Sequence, residues 1–326
     1  MNTVIIDYNN ISMSRLFSKD VMVKDGYDVK EINYHFWRFK VFSDIYYYLQ
    51  RFNAEEVIIA VDNSKSWRKI YFPRYKEKRA GFRNKFNIDW KEYNKISSDF
   101  IDDMKNHMPF KIIRVDKCEG DDIIGTISLY KKEDNITIIS SDSDFLQLCR
   151  KGLKVFSIKK QGEIAHPNPE MFLQEACLKG QTKDNIMNVI TPLDYPAELR
   201  RPPFGNKKSE KFLIQGLDKA LNQKVEYKRK YIDSEGNPRV YTAEINLKER
   251  YEFNRNLMDF NRIPNTLKKA IILRYNKYTF PDADKIYQFI KKYNWTFFLE
   301  KITNVENRLY ELYPSEKRRI NVQNCG

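Results

Sequence analysis

Apolar runs punctuate the first half of the chain at TVII (3–6), VIIAV (57–61), KIIRV (111–115), ITIIS (136–140) and KVFSI (154–158), each short enough for a strand. Between them, apolar residues recur at helical spacing in YHFWRFKVFSDIYYYLQRF (34–52), YNKISSDFIDDMKNHM (93–108) and GDDIIGTISLYKK (120–132). Strands alternating with helices predict an α/β domain over 1–167, a mostly parallel central sheet flanked by helices.

Past residue 168 the pattern turns to helices with irregular connections, among them EMFLQEACLKG, SEKFLIQGLDKAL and TLKKAIILRYNKY. Gly and Pro stops at HPNP and RRPPFGN interrupt them. This predicts a second, helical part over 168–312 and a disordered tail over 313–326. EYKRKYIDSEGNPRVYTAEI (226–245) reads either as a hairpin around SEGN or as a mobile loop. There is no internal repeat.

Charge changes the picture. Lysines and arginines number 58 against 44 acids, a formal net charge of +14, so the expected partner is a polyanion, with nucleic acid foremost. The 14% aromatic and 41% apolar content excludes a disordered basic tail as the source of that charge. Cys118, Cys149, Cys177 and Cys325 form no C-x-x-C pair, against a zinc ribbon or a disulfide framework and in favour of a reducing cytoplasm. The opening MNTVIIDYNN is too short for a signal peptide, and no run approaches the roughly 18 apolar residues of a membrane span.

Within this basic chain, Asp7, Asp62 and Asp142 each follow an apolar strand. Ligands of open parallel sheets bind beyond the carboxyl ends of the strands. Any one of the three alone is more simply a turn residue or helix N-cap. Three together, one of them repeated as Asp142-x-Asp144, predict a site. In CEGDDIIG, Glu119, Asp121 and Asp122 enter a helix, where negative charge is favoured by about 0.3–1 kcal/mol whatever its function. Helical spacing puts Glu119 and Asp122 on one face and Asp121 elsewhere. GQTKDNIMNV adds Asp184 at the start of another helix.

Convergent carboxylates repel by about 4 kcal/mol per pair at 4 Å and an effective dielectric of 20, so protons or cations are needed. His35, His107 and His166 are isolated, leaving oxygen donors only. That set suits magnesium, with manganese as a substitute, and two such ions could serve an in-line displacement at a phosphodiester.

Lys65 to Lys85 reads KSWRKIYFPRYKEKRAGFRNK, nine basic residues and one acid interleaved with Trp67, Tyr71, Phe72, Tyr75 and Phe82. A charge run is commonly only a solvated helix. Here the aromatics and the position just after Asp62 make Arg68, Lys69, Arg74, Tyr75 and Arg83 candidate nucleic-acid contacts through stacking and phosphate pairing. Lys76 and Arg79, three apart, share a face if this stretch is helical and could polarise a scissile phosphate. A second basic cluster, Arg200, Arg201, Lys207, Lys208 and Lys211, surrounds a Gly-containing turn feeding a helix N-terminus, a geometry suited to a backbone phosphate.

The ordered set VIIDYNN, VIIAVDNSKSWRK, YKEKR, DKCEGDDIIG, IISSDSDFLQL and KGQTKDNI resembles the 5′ nucleases of the flap endonuclease family, in particular their bacteriophage members. The match runs in register over roughly residues 3 to 190 and more loosely beyond. The resemblance implies a PIN-like 5′ nuclease core, a helical arch over about residues 64–92 and a helix-hairpin-helix module on duplex DNA. By matching positions, Asp7, Asp62, Glu119, Asp121 and Asp122 would build a first metal site, with Asp142 and Asp144 bridging to a second and Asp184 behind them. Asp121 is thus implicated against the helical-face argument. Lys76 and Arg79 match arch residues that engage the scissile phosphate.

The implied activity is a magnesium-dependent 5′→3′ exonuclease and flap endonuclease acting on flapped or nicked DNA and on RNA–DNA hybrids. It would remove RNA primers in phage replication, as a monomer in the cytoplasm of the infected host, beside a single-strand-binding protein and a polymerase clamp. Two departures stand out. Gln181 occupies a position where the family has an aspartate, and the hairpin region lacks a clear G-x-G turn and carries TPLDYPAELRRPP.

The rival of a different class is a catalytically weakened junction-binding protein, motivated by Gln181. Retention of Asp7, Asp62, Glu119, Asp142 and Asp144 argues against it, since unused clustered charge destabilises. A small-RNA endonuclease would not need the helical second half. An aspartyl phosphatase would need a second acid two residues after Asp7, where Asn9 stands.

Overall fold

The computed structural model of the chain describes residues 1–196, 199 and 202–315, apart from the side chains of Ala80 and Phe82. Arg200, Arg201 and the tail from 316 onward lie outside the described residues, as does the Phe82 side chain.

Eight strands span the first half: β1 (Asn2–Asp7), β2 (Met22–Asp25), β3 (Asp28–Ile32), β4 (Glu56–Ala60), β5 (Lys111–Ile113), β6 (Asn135–Ile139), β7 (Leu153–Ser157) and β8 (Gly162–Ile164). Six form one sheet in the order β5-β4-β1-β6-β7-β8, while β2 and β3 pair apart as a hairpin. All neighbours in the large sheet are parallel except β8, which runs antiparallel on β7. The five expected strands are all present. The three-residue β8 and the exposed β2–β3 hairpin were not anticipated, because neither carries an apolar run. β1 and β4 are interior strands with nearly every residue buried, as parallel strands covered on both faces must be.

The helix Tyr34–Arg51 is capped by Asn33, whose Oδ1 accepts the Phe36 N–H at 2.9 Å. The helix Trp90–His107 begins three residues earlier than its apolar spacing suggested. Asp89 Oδ1 accepts the amides of Lys91 and Glu92, both at 2.9 Å, which fixes the start. No helix among the described residues is long and apolar enough to cross a membrane.

The chain divides into two compact units, and not at 167/168. The first comprises 1–66, 84–165 and 264 onward; the second comprises 67–83 and 166–263. The C-terminal helices, expected with the second part, belong to the first because the helices at 34–51 and 90–107 present large apolar surfaces that need cover. Phe289, Trp295 and Phe298 supply it: Trp295 lies 5.2 Å from Phe42 and 5.6 Å from Phe289, centroid to centroid, and Phe298 lies 5.1 Å from Phe42. Tyr313, placed by the sequence in a disordered tail, is 1% exposed in this same core. Between helix Asn265–Asn276 and the sheet, Tyr275 Oη donates to Glu56 Oε1 at 2.9 Å. Burial would raise the Glu56 carboxyl, but Lys111 and Lys131 beside it hold it below the ordinary value.

The second unit has its own core, built from Phe72, Tyr75, Leu173, Leu178, Tyr227 and Tyr251 among others. Its longer helices include Pro169–Lys179, Asn206–Ile214 and Leu247–Met258, with the short Leu217–Leu221 between the last two. The 226–245 stretch takes the hairpin alternative, with β9 (Lys224–Ile232) and β10 (Pro238–Asn246) paired antiparallel over nine residues each. The buried Arg250 guanidinium donates to the carbonyls of Thr191 and Met187 at 2.8 and 3.1 Å, tying loop to helix. Burial lowers it to about 10.

Candidate active site

Strand order explains why three aspartates gather. β1 lies between β4 and β6, all parallel, so their carboxyl ends are adjacent. Asp7 ends β1 opposite Ala60, Asp62 follows β4 by two residues, and Asp142 follows β6 by three.

Asp7 is the most deeply placed, 7% exposed. Its Oδ2 accepts the Ser140 hydroxyl at 2.7 Å and its Oδ1 accepts the Asn10 amide at 3.1 Å. Burial pushes this carboxyl up to about 7, and the negative charges of Asp62 and Asp142 push the same way against those two hydrogen bonds. The charges at the adjacent strand ends therefore oppose ionisation of Asp7.

Asp62 is held by Asn9, whose side-chain amide donates to Oδ2, and by the Gly120 N–H, 2.6 Å from Oδ1. Gly120 is the close approach that permits this. A Cβ there would lie 3.0 Å from Asp62 Oδ1 and 3.5 Å from the Ala60 carbonyl. Gly120→Ala is therefore expected to turn the Asp62 carboxyl away and slow any reaction this site carries roughly tenfold or more, about 1.4 kcal/mol, with little change in melting temperature. Single-turnover rates at saturating protein check it, and an unchanged rate would mean that Asp62 needs no fixed orientation.

The helix Gly120–Tyr130 opens with the acidic trio. Asp122 is fully buried and its Oδ2 accepts the Glu119 N–H at 2.9 Å, a local cap at the helix entrance. Glu119 is 7% exposed, and Asp121 is half-buried. On the far side, Asp142 Oδ1 accepts the Asp144 N–H at 3.0 Å at the head of the short helix Ser143–Leu148. Ser140 Oγ, besides donating to Asp7, accepts the Asp142 N–H at 3.1 Å, so one hydroxyl links two carboxylate-bearing strand ends.

Seven of the eight expected carboxylates thus belong to the first unit. Among the described residues no three His, Cys, Asp or Glu side chains already surround a common metal position; Asp7, Asp62, Asp122 and Asp142 are each oriented by the donors just named. Sequence reasoning passed over Asn9, Asn10, Gly120 and Ser140. The signal was present in the asparagine pair of IIDYNN and in the serine that ends the ITIIS strand.

Asp184 lies in the second unit, 4% exposed, in the short helix Thr182–Asp184. Its Oδ1 accepts Arg79 Nη2 at 2.6 Å, and its backbone carbonyl accepts the Lys76 N–H at 2.9 Å. Asn185 Nδ2 donates to the Arg74 carbonyl at 2.9 Å. Its loop therefore docks directly on the basic stretch. The backbone of Gln181 pairs with that of Ile186 at 2.9 Å in both directions, closing the loop.

The basic stretch departs from expectation in three ways. The expected helical arch contains two five-residue helices, Trp67–Tyr71 and Arg79–Arg83. Pro73 follows the first, and Lys76 has φ +57°, left-handed, so Lys76 and Arg79 do not share a helix face. Tyr75, taken as a stacking residue, is 4% exposed and packs in the second core, as does Phe72, while Tyr71 stacks on Phe253. Arg68, taken as a phosphate contact, is 3% exposed with its Nε on the Leu257 carbonyl at 2.7 Å. These side chains anchor the segment. Lys69 and Arg83 are exposed, and Arg74 is half-buried with Nη1 on the Tyr195 carbonyl at 3.2 Å. Lys207 and Lys208 are exposed in the first turn of the helix after Gly205, which is its N-cap as the Gly-turn reading expected.

Comparison with known proteins gives one consistent picture. The family model described as the 5′-3′ exonuclease N-terminal resolvase-like domain matches residues 2–176, and that described as the C-terminal domain of T4 RNase H matches 167–307. The chain is 29% identical to the ribonuclease H of Enterobacteria phage T4, over 93% of this chain and 94% of that protein. It is 27% identical to a 5′-3′ exonuclease of Buchnera aphidicola, over 43% of this chain and 50% of that protein. Among solved structures, the bacteriophage T5 D15 protein co-crystallised with metal ions superposes with a TM-score of 0.57 at 19% identity, covering 90% of this chain and 98% of that one. The T5 D15 flap endonuclease in a complex with DNA and metal ions gives 0.52 at 17% identity, with the same coverage.

Proposed function

The chain belongs to the 5′-3′ exonuclease family and is a nuclease, and from that premise we propose that it is a magnesium-dependent flap endonuclease and 5′→3′ exonuclease that removes RNA primers from lagging-strand fragments. The observation that carries this reading is the set of carboxylates at adjacent strand ends, with Asp7 pushed up to about 7 by burial and by Asp62 and Asp142. A cation is what such a pocket favours over ionised carboxylates alone. Its donors are all oxygen, which suits magnesium or manganese.

We assign Asp7, Asp62, Glu119 and Asp121 to a first ion, with Asp122 orienting Glu119 from its buried cap. Asp142 and Asp144 serve a second. Two bound ions would supply a nucleophilic water and neutralise the charge that develops on the phosphodiester. Asn9 and Ser140 keep the carboxylates turned to the strand ends. Lys76 and Arg79 engage the phosphate, with Asp184 holding the Arg79 guanidinium.

The substrates proposed are flapped and nicked DNA and RNA–DNA hybrids, read through the backbone. The helices Asn206–Ile214 and Leu217–Leu221, joined through Gly216 at φ +87°, support a hairpin-like module on duplex. Lys69, Arg74, Arg83, Lys207 and Lys208 supply cations for phosphates. In a phage setting the protein would act as a monomer in the host cytoplasm, with a single-strand-binding protein and a polymerase clamp.

The test is cleavage of a 5′-labelled flap and of a nicked RNA–DNA duplex in magnesium, in manganese and with chelator. Metal-dependent release of short 5′-labelled products from both substrates is expected. Tight junction binding without cleavage in either metal would sink the proposal.

A further inference from the structure

The β9–β10 ribbon has two unlike faces. Strictly paired over nine residues each, it is about 27 Å long at 3.4 Å per residue. One face turns inward. Tyr227 and Ile245 on it are buried in the second core, and Tyr241 Oη donates to Asp194 Oδ1 at 2.6 Å. The other face is covered by nothing within its unit. Over its outer half the register pairs Lys228 with Thr242, Lys230 with Val240 and Ile232 with Pro238, all six exposed. Ile232 is 67% and Val240 56% exposed.

The charge on that half is one-signed. Lys224 and Arg239 are spoken for by Glu244 and Asp233, but Lys228 and Lys230 form no ion pair among the described residues. Glu226 and Glu244 face each other nearer the base, so the acids of this face sit at its root and the cations toward its tip. Edge and face cations can serve merely to prevent strand aggregation. Lysines two residues apart on one face, however, stand about 7 Å from one another, the spacing of successive phosphates along a strand.

Resting on the nuclease reading, we propose that the outer face of the ribbon is a duplex-DNA arm that lies along the phosphate backbone, with Lys228 and Lys230 as its phosphate contacts and Thr242 as a hydroxyl donor. Single-strand binders need aromatic platforms, and none of the outer-face residues is aromatic. The ribbon's tyrosines, Tyr227, Tyr231 and Tyr241, are all on the inward face. A two-stranded ribbon also has the width that a duplex groove admits.

The experiment is equilibrium binding of the full chain and of the Lys228→Ala/Lys230→Ala variant to a blunt duplex and to a single strand, with metal chelated, from 50 to 200 mM salt. The variant should bind the duplex roughly tenfold more weakly, with the slope of log K against log salt shallower by about 2 and the single strand unaffected. Lys228→Arg/Lys230→Arg should restore the slope. Unchanged duplex affinity and slope would overturn the proposal, as would equal losses on duplex and single strand. Wild-type protein that binds neither nucleic acid would instead defeat the nuclease reading itself. Both lysines are exposed, and matching melting curves confirm that the variant is folded.

Discussion

Asp7→Asn is expected to make the metal-free protein more stable while slowing its nuclease activity by roughly two to three orders of magnitude. Burial and the charges of Asp62 and Asp142 raise the Asp7 carboxyl from 3.8 to about 7 in the folded state. Between those values the folded chain holds a proton that the unfolded chain has released, so stability falls as pH rises through that window. Above about pH 7 the full penalty, on the order of 2–4 kcal/mol, is in force. Asparagine removes the charge and keeps the acceptor for the Asn10 amide. In chelator at pH 8 the variant should therefore unfold at higher denaturant than wild type, and its stability should change less from pH 4 to 7. Magnesium should stabilise wild type and leave the variant nearly unmoved, while cleavage falls about 10²–10³-fold. A variant less stable than wild type in chelator at pH 8 would mean that Asp7 is a structural hydrogen-bonding residue rather than a stressed ligand.

Gly180→Ala should unravel the loop that carries Asp184. Gly180 has φ +66° and ψ −173°, a region essentially reserved to glycine. A Cβ would stand 2.5 Å from both the Ile186 carbonyl oxygen and the Met187 carbonyl carbon. These are backbone atoms, so no rotamer relieves the overlap. Loss of about 3 kcal/mol in local stability is expected, which amounts to about a hundredfold faster amide exchange at Val189, whose N–H bonds the Leu178 carbonyl. Protection unchanged at Val189 would show that the loop closes without the left-handed residue. Because Arg79 meets the same loop through Asp184, its proposed grip on phosphate should weaken with it.

Sequence patterning works best where one local rule decides the outcome. The strands β1, β4 and β6 are continuous apolar runs, and the aspartates after them had few other places to go once the sheet was parallel. It works poorly where a side chain's fate depends on a distant partner. Arg68 reads as a solvated or phosphate-facing cation, yet its guanidinium meets a carbonyl 189 residues away. Tyr75 reads as a stacking ring for the same reason. A short basic segment has no periodicity long enough to say which face is inward. Spacing put Glu119 and Asp122 on one helix face, but it could not tell that Asp122 turns back onto the Glu119 amide. Nothing local in the C-terminal helices announces that Trp295 completes a core begun by Phe42.

That last arrangement matters while the chain is being made. The helices at 34–51 and 90–107 and the sheet they cover have left the ribosome once residue 165 emerges, but Phe289, Trp295, Phe298 and Leu309, which close over them, are still untranslated. At about 5–20 residues per second the gap amounts to roughly seven to thirty seconds. For that interval the nascent chain leaves the aromatic surface around Phe42 uncovered. Its earliest hazard is therefore capture or aggregation of a half-built core, and what relieves it is the arrival of the last helices.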